Sequence, residues 1–273
     1  MSWDRLREEA GRLAPSLRAP LPAGLGRCAV CRGPARGGCA YCFHCSRHRQ
    51  VAPGLLADVV VSVSYSVAGS DFARVLWRYK GEDGGDPDAR SAVRALLLFF
   101  LYGHSQCLWN RAGHLVAGVT RASALAVVPT GRGRPGPHPL QSLIGSYLTA
   151  PLVTLGDTPG EPLLTRELHP GRFRVTAGRV TGVDVLLLDD TWTTGASAQS
   201  AAVALKLAGA RSVAVLTLGR YLNLSDGVPE LFAAAVGKSL FRTDRCAVHE
   251  SARASLISTY PRQHAYKTVK WDE

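Results

Sequence analysis

The sequence predicts an α/β protein in which helices flank a parallel sheet, with a small cysteine-rich module at the N-terminus. Residues 183–218 contain an apolar strand, an alanine-rich helix and a second apolar strand, which together make a βαβ unit. Strands that are apolar along their whole length are typical of parallel sheets covered by helices on both faces. The module is indicated by the cysteines, because five of the seven lie between Cys28 and Cys45.

Length and composition suit this fold class. The 273 residues, 46% of them hydrophobic, are enough for one α/β domain with an added module and a sizeable core. We divide the chain into an N-terminal segment with the cysteine module (1–50), a sheet domain (51–220) and a C-terminal extension (221–273), in which the periodic pattern is lost.

No segment is expected to insert into a membrane. The longest apolar run, Leu96–Tyr102, is far shorter than the ~20 residues that cross a bilayer as a helix. The N-terminus lacks the basic and then apolar pattern of a secretory signal. We therefore expect a cytoplasmic protein.

Local signals place the elements in order along the chain. Valine alternates along 58–66, which is typical of a strand. Ser70 and Asp71 can cap a helix that closes at Lys80 and Gly81. The expected elements are a helix over Trp3–Leu13, a strand over Asp58–Ser66, helices over Asp71–Tyr79 and Ala89–Tyr102, a strand over Leu125–Val128, a helix over Pro139–Leu148, a strand over Val183–Leu188, a helix over Ala198–Leu207 and a strand over Ser212–Leu218.

Two adjacent carboxylates, Asp189 and Asp190, directly follow the Val183–Leu188 strand and precede a hydroxyl-rich turn. Ligands of parallel sheets bind at the carboxyl ends of strands, and the N-terminus of the next helix favours an anion such as phosphate. Gly195 permits positive φ and close approach of the backbone. The acids suit sugar hydroxyls, directly or through Mg²⁺. The stretch predicts a ribose 5-phosphate site; the alternative is an ordinary helix cap with acidic residues near it.

The cysteine spacing predicts a structural zinc site. Two C-x-x-C pairs separated by ten residues can supply four thiolates to one tetrahedral ion, as in a zinc ribbon. Cys39 forms a further C-x-x-C with Cys42, so the fourth ligand stays open, and His44 and His48 are weaker candidates. The predicted ligands are Cys28, Cys31, Cys42 and Cys45.

The stretch 185–197, VLLLDDTWTTGAS, resembles the ribose-phosphate motif of type I phosphoribosyltransferases. A four-cysteine module ahead of such a domain resembles the ComF family, which is associated with DNA uptake; the resemblance spans roughly 28–220. It implies a type I phosphoribosyltransferase-like fold and binding of 5-phosphoribosyl 1-diphosphate (PRPP) with Mg²⁺, with Asp189 and Asp190 on the ribose hydroxyls. It assigns the 5-phosphate to Thr193, Thr194, Gly195, Ala196 and Ser197, and Thr191 is a further predicted PRPP-binding residue. Trp192 stands where the family has a small aliphatic residue, and it can form a lid or pack.

A loop dense in glycine, proline and arginine follows the predicted strand over Leu125–Val128. Its G-x-G-x-x-G pattern is not a dinucleotide fingerprint, because the interspersed prolines prevent a tight entry into a helix. We interpret it as a mobile loop in which Arg132 and Arg134 bind the diphosphate, and the alternative is a solvated surface loop. Lys80 is either a further diphosphate contact or a charge at a helix C-terminus.

The charge distribution raises a second possibility for function. The net charge is +11, and residues 1–50 carry nine arginines against three acidic residues. The resemblance implies transfer of the phosphoribosyl group to a nitrogen acceptor with release of diphosphate. The alternative is a catalytically silent nucleotide-sensing or DNA-uptake accessory protein, whose basic module binds single-stranded DNA or a protein partner. The sequence indicates neither the acceptor nor the oligomeric state.

The C-terminal extension contains Cys246 and His249, which are three positions apart. Together they can form half of a metal site. The more ordinary interpretation is a packed cysteine.

Overall fold

A six-stranded sheet flanked by helices forms the centre of the protein. The computed structural model describes residues 3–81, 85–115, 122–130, 138–145, 147–148, 150–161, 166–225, 227–246 and 248, with backbone alone for 111–115. Within these ranges, none of the helices combines the length and the apolar character that a membrane crossing requires. The predicted α/β fold class is confirmed.

The strands follow the order β1-β6-β5-β2-β3-β4 across the sheet. All neighbours are parallel except β3 and β4, which are antiparallel at one edge. The strand β5 therefore lies in the interior of the sheet, between β6 and β2. The strands are β1 (Val59–Val67), β2 (Ala124–Val127), β3 (Leu152–Asp157), β4 (Phe173–Ala177), β5 (Asp184–Trp192) and β6 (Ser212–Leu222).

Helices cover both faces of the sheet. Ser70 caps α3 as predicted, its side chain accepting a hydrogen bond from the amide of Ala73 at 3.2 Å. The helices are α1 (Trp3–Leu13), α2 (Phe43–Val51), α3 (Asp71–Arg78), α4 (Pro87–Leu115), α5 (Pro139–Ile144), α6 (Ala196–Leu207) and α7 (Glu230–Lys238), with a short 3₁₀ turn at Ala14–Ser16.

Side chains of β5 alternate between two hydrophobic clusters. Leu186 and Leu188 belong to the cluster that contains residues of α3 and α4, whereas Val185 and Leu187 belong to the one that contains residues of α6. Because both faces of the strand are buried, its sequence is a continuous apolar run rather than an alternating one. The second cluster also contains Cys28, Cys31 and Cys45.

Several elements are longer or shorter than predicted. The strand β5 continues beyond Leu188 to Trp192, because Thr191 and Trp192 still pair with Gly219 and Arg220 of β6. An apolar run marks the buried part of a strand, but backbone pairing extends past it. Likewise α4 continues beyond Tyr102 to Leu115, and α5 ends at Ile144 rather than Leu148.

Four elements were not predicted from the sequence. The strands β3 and β4, at one end of the sheet, are short, and several of their residues are exposed, so they lack the apolar run that reveals β5. The helix α2 is polar and begins inside the cysteine module. The helix α7 lies in the C-terminal extension, beyond the last clear periodic pattern.

Candidate functional site

The two adjacent aspartates lie near the carboxyl end of β5. Asp190 is 2% exposed and lies beside the segment that follows α3, and Asp189 is half-buried. One oxygen of Asp190 accepts a hydrogen bond from Lys80 Nζ at 2.7 Å, and the other accepts one from the Tyr79 hydroxyl. His138 Nε2 lies 3.5 Å from Asp190 Oδ2. Asp190 thus joins three chain segments that are remote in sequence.

These partners hold Asp190 in the ionised form. Burial alone would raise the pKa of Asp190, but the charge of Lys80, then that of His138, and the bonds from Lys80 and Tyr79 lower it below its ordinary value. Burial and the charge of Asp190 raise the pKa of Tyr79, so its phenol stays protonated and donates. Lys80, predicted as a candidate diphosphate contact, is bound to this carboxylate.

Asp189 titrates differently from its neighbour. Burial and then the charge of Asp190 raise the pKa of Asp189 to about 7, although Lys80 opposes the shift. Asp189 Oδ1 accepts a hydrogen bond from the amide of Asp190 at 2.8 Å. Ligand atoms of His138, Asp189 and Asp190 lie within 4.8 Å of one another, so this corner could hold a cation. His138 Nδ1 accepts from the Leu140 amide at 3.0 Å, which leaves Nε2 facing the acids.

The turn after β5 depends on Gly195. This residue has φ +84° and caps α6, and a Cβ built on it would lie 2.1 Å from the Trp192 ring. Trp192 is 1% exposed, so it packs beneath the turn and does not form a lid. Thr194 Oγ1 accepts a hydrogen bond from the Ala196 amide at 3.2 Å. The backbone amides that follow, beginning at Ser197, lie in the first turn of α6. Amides in a first turn have no hydrogen-bond acceptor within the helix.

Arg172 lies beside this helix N-terminus. Its Nη1 donates to Ser197 Oγ at 2.9 Å, and its guanidinium packs over the Phe173 ring, 4.5 Å from the centroid. Arg172 is 2% exposed, yet its Nε has no hydrogen-bond partner among the described residues. Burial lowers the pKa of Arg172, and the charges of Asp157 and then Asp189 oppose that shift. A buried cation with an unused donor at a helix N-terminus is a strong anion-binding arrangement.

The sequence-predicted residues are thus only partly brought together. Thr191 and Thr193 flank Trp192 at the end of β5, half-buried and exposed respectively. Arg132 and Arg134 lie outside the described residues. Sequence reasoning assigned no role to Arg172, and the only signal for it was the Arg-Phe-Arg-Val stretch that begins β4.

The four predicted cysteine ligands form a tight cluster. The sulfur atoms of Cys28, Cys31, Cys42 and Cys45 lie within 4.8 Å of one another. The Cys31 and Cys42 sulfurs are 3.7 Å apart. Tetrahedral zinc with Zn–S bonds of about 2.3 Å places its sulfurs about 3.8 Å apart, so the cluster fits such an ion.

The other candidate ligands lie apart from this cluster. Cys39 is exposed, and neither it nor His44 or His48 belongs to the group of converging ligand atoms. His48 is buried, and burial and then the charge of His44 lower its pKa to about 4. The spacing left Cys39, His44 and His48 as alternative ligands, and their positions in the structure place them outside the cluster.

The four thiols cannot ionise independently. Hydrogen bonds from Cys28, Cys42 and Cys45 lower the pKa of Cys31 well below its ordinary value, with the charge of Arg220 acting in the same direction. Cys42 and Cys45 donate within the cluster to Cys28 and Cys31, which raises their own pKa values. A bound cation would replace these shared protons.

Arg220 connects the cysteine cluster to the turn after β5. It is 7% exposed, and its Nη1 donates to the carbonyl oxygens of Trp192 at 3.1 Å and Thr193 at 2.8 Å. Burial would lower its pKa, but the charge and hydrogen bond of Cys31 raise it above the ordinary value. A Cβ on Gly33 would lie 2.6 Å from Arg220 Nη2, so this glycine makes room for the guanidinium.

Comparison with known proteins gives matches among solved structures only. The sequence matches no family model and no curated protein. Orotate phosphoribosyltransferase from Aeropyrum pernix matches with 23% identity, a TM-score of 0.34, and coverage of 64% of this chain and 75% of that chain.

Two other phosphoribosyltransferases match in the same way. The orotate enzyme from Mycobacterium tuberculosis H37Rv matches with 15% identity, a TM-score of 0.32, and coverage of 79% of this chain and 92% of that chain. Adenine phosphoribosyltransferase from Leishmania tarentolae matches with 17% identity, a TM-score of 0.30, and coverage of 59% and 78%. TM-scores this low carry no argument about activity, so the function has to be inferred from the residues of this chain.

Proposed function

We propose that this protein binds PRPP, or another ribose 5-phosphate ligand, with Mg²⁺ and transfers the phosphoribosyl group to a nitrogen acceptor. The observation that carries the proposal is that three features lie next to one another at one end of β5. These are the half-buried carboxylate of Asp189, the turn at Gly195 and the buried guanidinium of Arg172 beside Ser197. Together they provide acceptors for sugar hydroxyls next to donors for a phosphate.

Each group has a role in this proposal. Asp189 and Asp190 accept hydrogen bonds from the ribose hydroxyls, Asp189 being the more accessible of the two. The 5-phosphate lies against the first turn of α6 and Arg172, whose Nε has no hydrogen-bond partner in the part of the chain that the structure describes. The residues of the phosphate turn are Thr191, Thr193, Thr194, Gly195, Ala196 and Ser197.

The proposed reaction is a displacement at C1 of the ribose. The lone pair of the acceptor nitrogen forms the C1–N bond as the C1–O bond to diphosphate breaks, and diphosphate leaves with the bonding pair. Bound Mg²⁺ supplies charge neutralisation for the diphosphate. The chain contributes mainly by positioning the sugar and phosphate, for which Arg132 and Arg134 are proposed partners on the leaving group.

A structural zinc ion at the cysteine cluster completes the proposal. Four thiolate ligands leave no open coordination position, so the ion has no part in the reaction. Its role would be to hold the N-terminal segment against β5 and α6, whose cluster includes three of the four cysteines.

Thermal unfolding with ligand tests the proposal. PRPP with Mg²⁺ should raise the melting temperature of the protein, because a ligand that binds only the folded state stabilises it. The double variant Asp189→Ala with Asp190→Ala should abolish the shift. Asp244→Asn, which alters an exposed acid that forms a surface bridge with Arg242, should keep it. An identical shift in the double variant would refute the proposal.

One observation favours a silent nucleotide-binding protein as the second candidate. Lys80 is bound to Asp190 and so already has a carboxylate partner. Diphosphate release from PRPP separates the two functions, since a silent protein should show the thermal shift without release. Binding of single-stranded DNA, measured against rising salt, tests the accessory role, because phosphate contacts weaken as salt rises.

A further inference from the structure

A second group of soft metal ligands lies apart from both the acid pair and the four cysteines. A ring nitrogen of His104 and the sulfur atoms of Cys107 and Cys246 all lie within 4.8 Å of one another. His104 and Cys107 come from α4, and Cys246 follows α7 in the C-terminal extension. The proposed phosphoribosyl transfer uses none of these residues.

The fold places these side chains together in a defined way. His104 and Cys107 are one turn apart on α4, so they share a face of the helix. The His104 ring packs edge-on against Phe99, with centroids 5.7 Å apart, and is tilted against Phe100 at 5.6 Å. These contacts restrict the rotation of the His104 ring.

The third ligand is buried but reachable. Cys246 is 7% exposed and belongs to the same hydrophobic cluster as the residues of α4, with Cys107 packed against it. Neither cysteine is in a disulfide. Cys246 also lines a cavity of about 230 Å³ between the segments 19–22 and 238–246, so this cysteine borders open space.

Charge favours a divalent ion at this position. One imidazole and two thiolates would balance the charge of Zn²⁺, so the loaded site would be neutral and suited to an apolar core. The four-cysteine cluster would carry a net charge of about −2 with Zn²⁺, and Arg220 is buried beside it.

We propose that His104, Cys107 and Cys246 form a second zinc site, which fastens the C-terminal extension to α4. Thiolate and imidazole are ligands that select zinc, and bond lengths of about 2.3 Å to sulfur and 2.1 Å to nitrogen are compatible with the observed convergence. Three protein ligands leave the fourth position to water or another donor. The site is independent of the proposed transfer reaction.

Metal content of the full chain, purified with zinc under reducing conditions, tests the site. The wild type should hold two zinc ions per chain, and Cys246→Ser and Cys42→Ser should each hold one. Cys39→Ser, which removes an exposed cysteine outside both clusters, should keep two. One ion in the wild type, unchanged in Cys246→Ser, would overturn the proposal, as would a Cys107–Cys246 disulfide in the protein under these conditions.

A second measurement does not depend on the folding of a variant. X-ray absorption of the wild-type protein reports the mean ligands per zinc. Two sites should give about three sulfurs and a detectable imidazole contribution, whereas the four-cysteine site alone should give about four sulfurs. A pure four-sulfur spectrum would contradict the proposal.

Discussion

At the scale of single residues, two neighbouring aspartates have opposite pKa shifts because their partners differ. Asp190 is buried among Tyr79, Lys80 and His138, which keep it ionised. Asp189 has no such set of partners, and burial beside a second carboxylate raises its pKa to about 7. Asp189 is therefore the acid whose charge can respond to pH near neutrality.

We expect this response to be visible in stability. The ordinary pKa of an aspartate is near 3.8, so between about pH 4 and 7 the folded protein holds a proton on Asp189 that the unfolded chain has lost. The contribution of Asp189 to stability should fall as pH rises through this interval and then level off. The difference in melting temperature between Asp189→Asn and wild type should grow from pH 4 to 7; a constant difference would contradict the shifted pKa.

Ligand binding should have the opposite pH dependence. The carboxylate accepts hydrogen bonds from ribose hydroxyls, so PRPP affinity should rise with pH up to about 7, by at most about tenfold per unit from this group. Because PRPP itself titrates, the comparison is with Asp189→Asn in the same buffers. Calorimetric titration should show the additional pH dependence in the wild type alone, and parallel curves would exclude Asp189 as the titrating group.

Gly195 provides a separate test at the residue scale. Gly195→Ala places a side chain at φ +84° and against the Trp192 ring, so the turn should rearrange at a cost of about 2 kcal/mol or more. PRPP binding should be lost together with some stability. Gly209→Ala is the matched control, because Gly209 has φ +95° at the other end of α6 and its Cβ would only touch Thr181, at 3.3 Å. That variant should lose stability and keep binding.

At the scale of elements, a side chain of β6 holds the turn between β5 and α6 by hydrogen bonds. Arg220 of β6 donates to the carbonyl oxygens of Trp192 and Thr193, and its charge lies beside the thiols of the cysteine cluster. The phosphate turn and the cysteine module therefore share one buried cation. Loss of the Arg220 charge should therefore affect both the turn after β5 and the cysteine module.

Arg220→Met tests this coupling. Removal of a buried, hydrogen-bonded charge should cost about 3 kcal/mol or more, weaken zinc binding and weaken PRPP binding together. Arg211→Met is the matched control, since Arg211 precedes β6, is exposed and bonds to Asp184. Zinc content and PRPP affinity, measured on both variants, should change only for Arg220→Met; normal values there would show that the two sites are independent.

At the scale of the whole molecule, the N-terminal segment and the C-terminal extension both contact the sheet. The carbonyl oxygen of Arg18 accepts a hydrogen bond from the Tyr65 amide of β1 at 2.7 Å, and the amide of Ala19 donates to Ser239 at 2.7 Å. The Trp3 ring stacks on Phe99 of α4 with centroids 5.2 Å apart. The stability of the sheet domain thus depends on the segments at both ends of the chain.

Loss of one ligand in the cysteine cluster should therefore destabilise the entire protein. Cys42→Ser should lower the melting temperature by several degrees, since Cys28, Cys31 and Cys45 pack in the same hydrophobic cluster as α6. The exposed Cys39 makes Cys39→Ser the control, with an unchanged melting temperature. Equal melting temperatures for Cys42→Ser and wild type would show that no metal in the four-cysteine cluster stabilises the fold.

Sequence predicted the features that are local in the chain. The β5 strand, the acid pair and the turn at Gly195 are contiguous, so hydrophobic pattern and helix-terminus chemistry were sufficient to place them. Spacing predicted the cysteine cluster, but the exclusion of Cys39 required its position in the fold. The partners of Asp190 and the contact of Arg172 with Ser197 could not be predicted, because they join separate elements and depend on how these pack.

The most direct test of the proposed ribose-phosphate site is a calorimetric titration of the wild-type protein and Arg172→Met with PRPP and Mg²⁺. Arg172 is buried beside Ser197, and methionine keeps much of its volume without its charge. The wild type should bind, and the variant should bind at least about tenfold more weakly, since a charged hydrogen bond contributes about 1.5–3 kcal/mol. Equal affinities, or no binding by the wild type, would contradict the account.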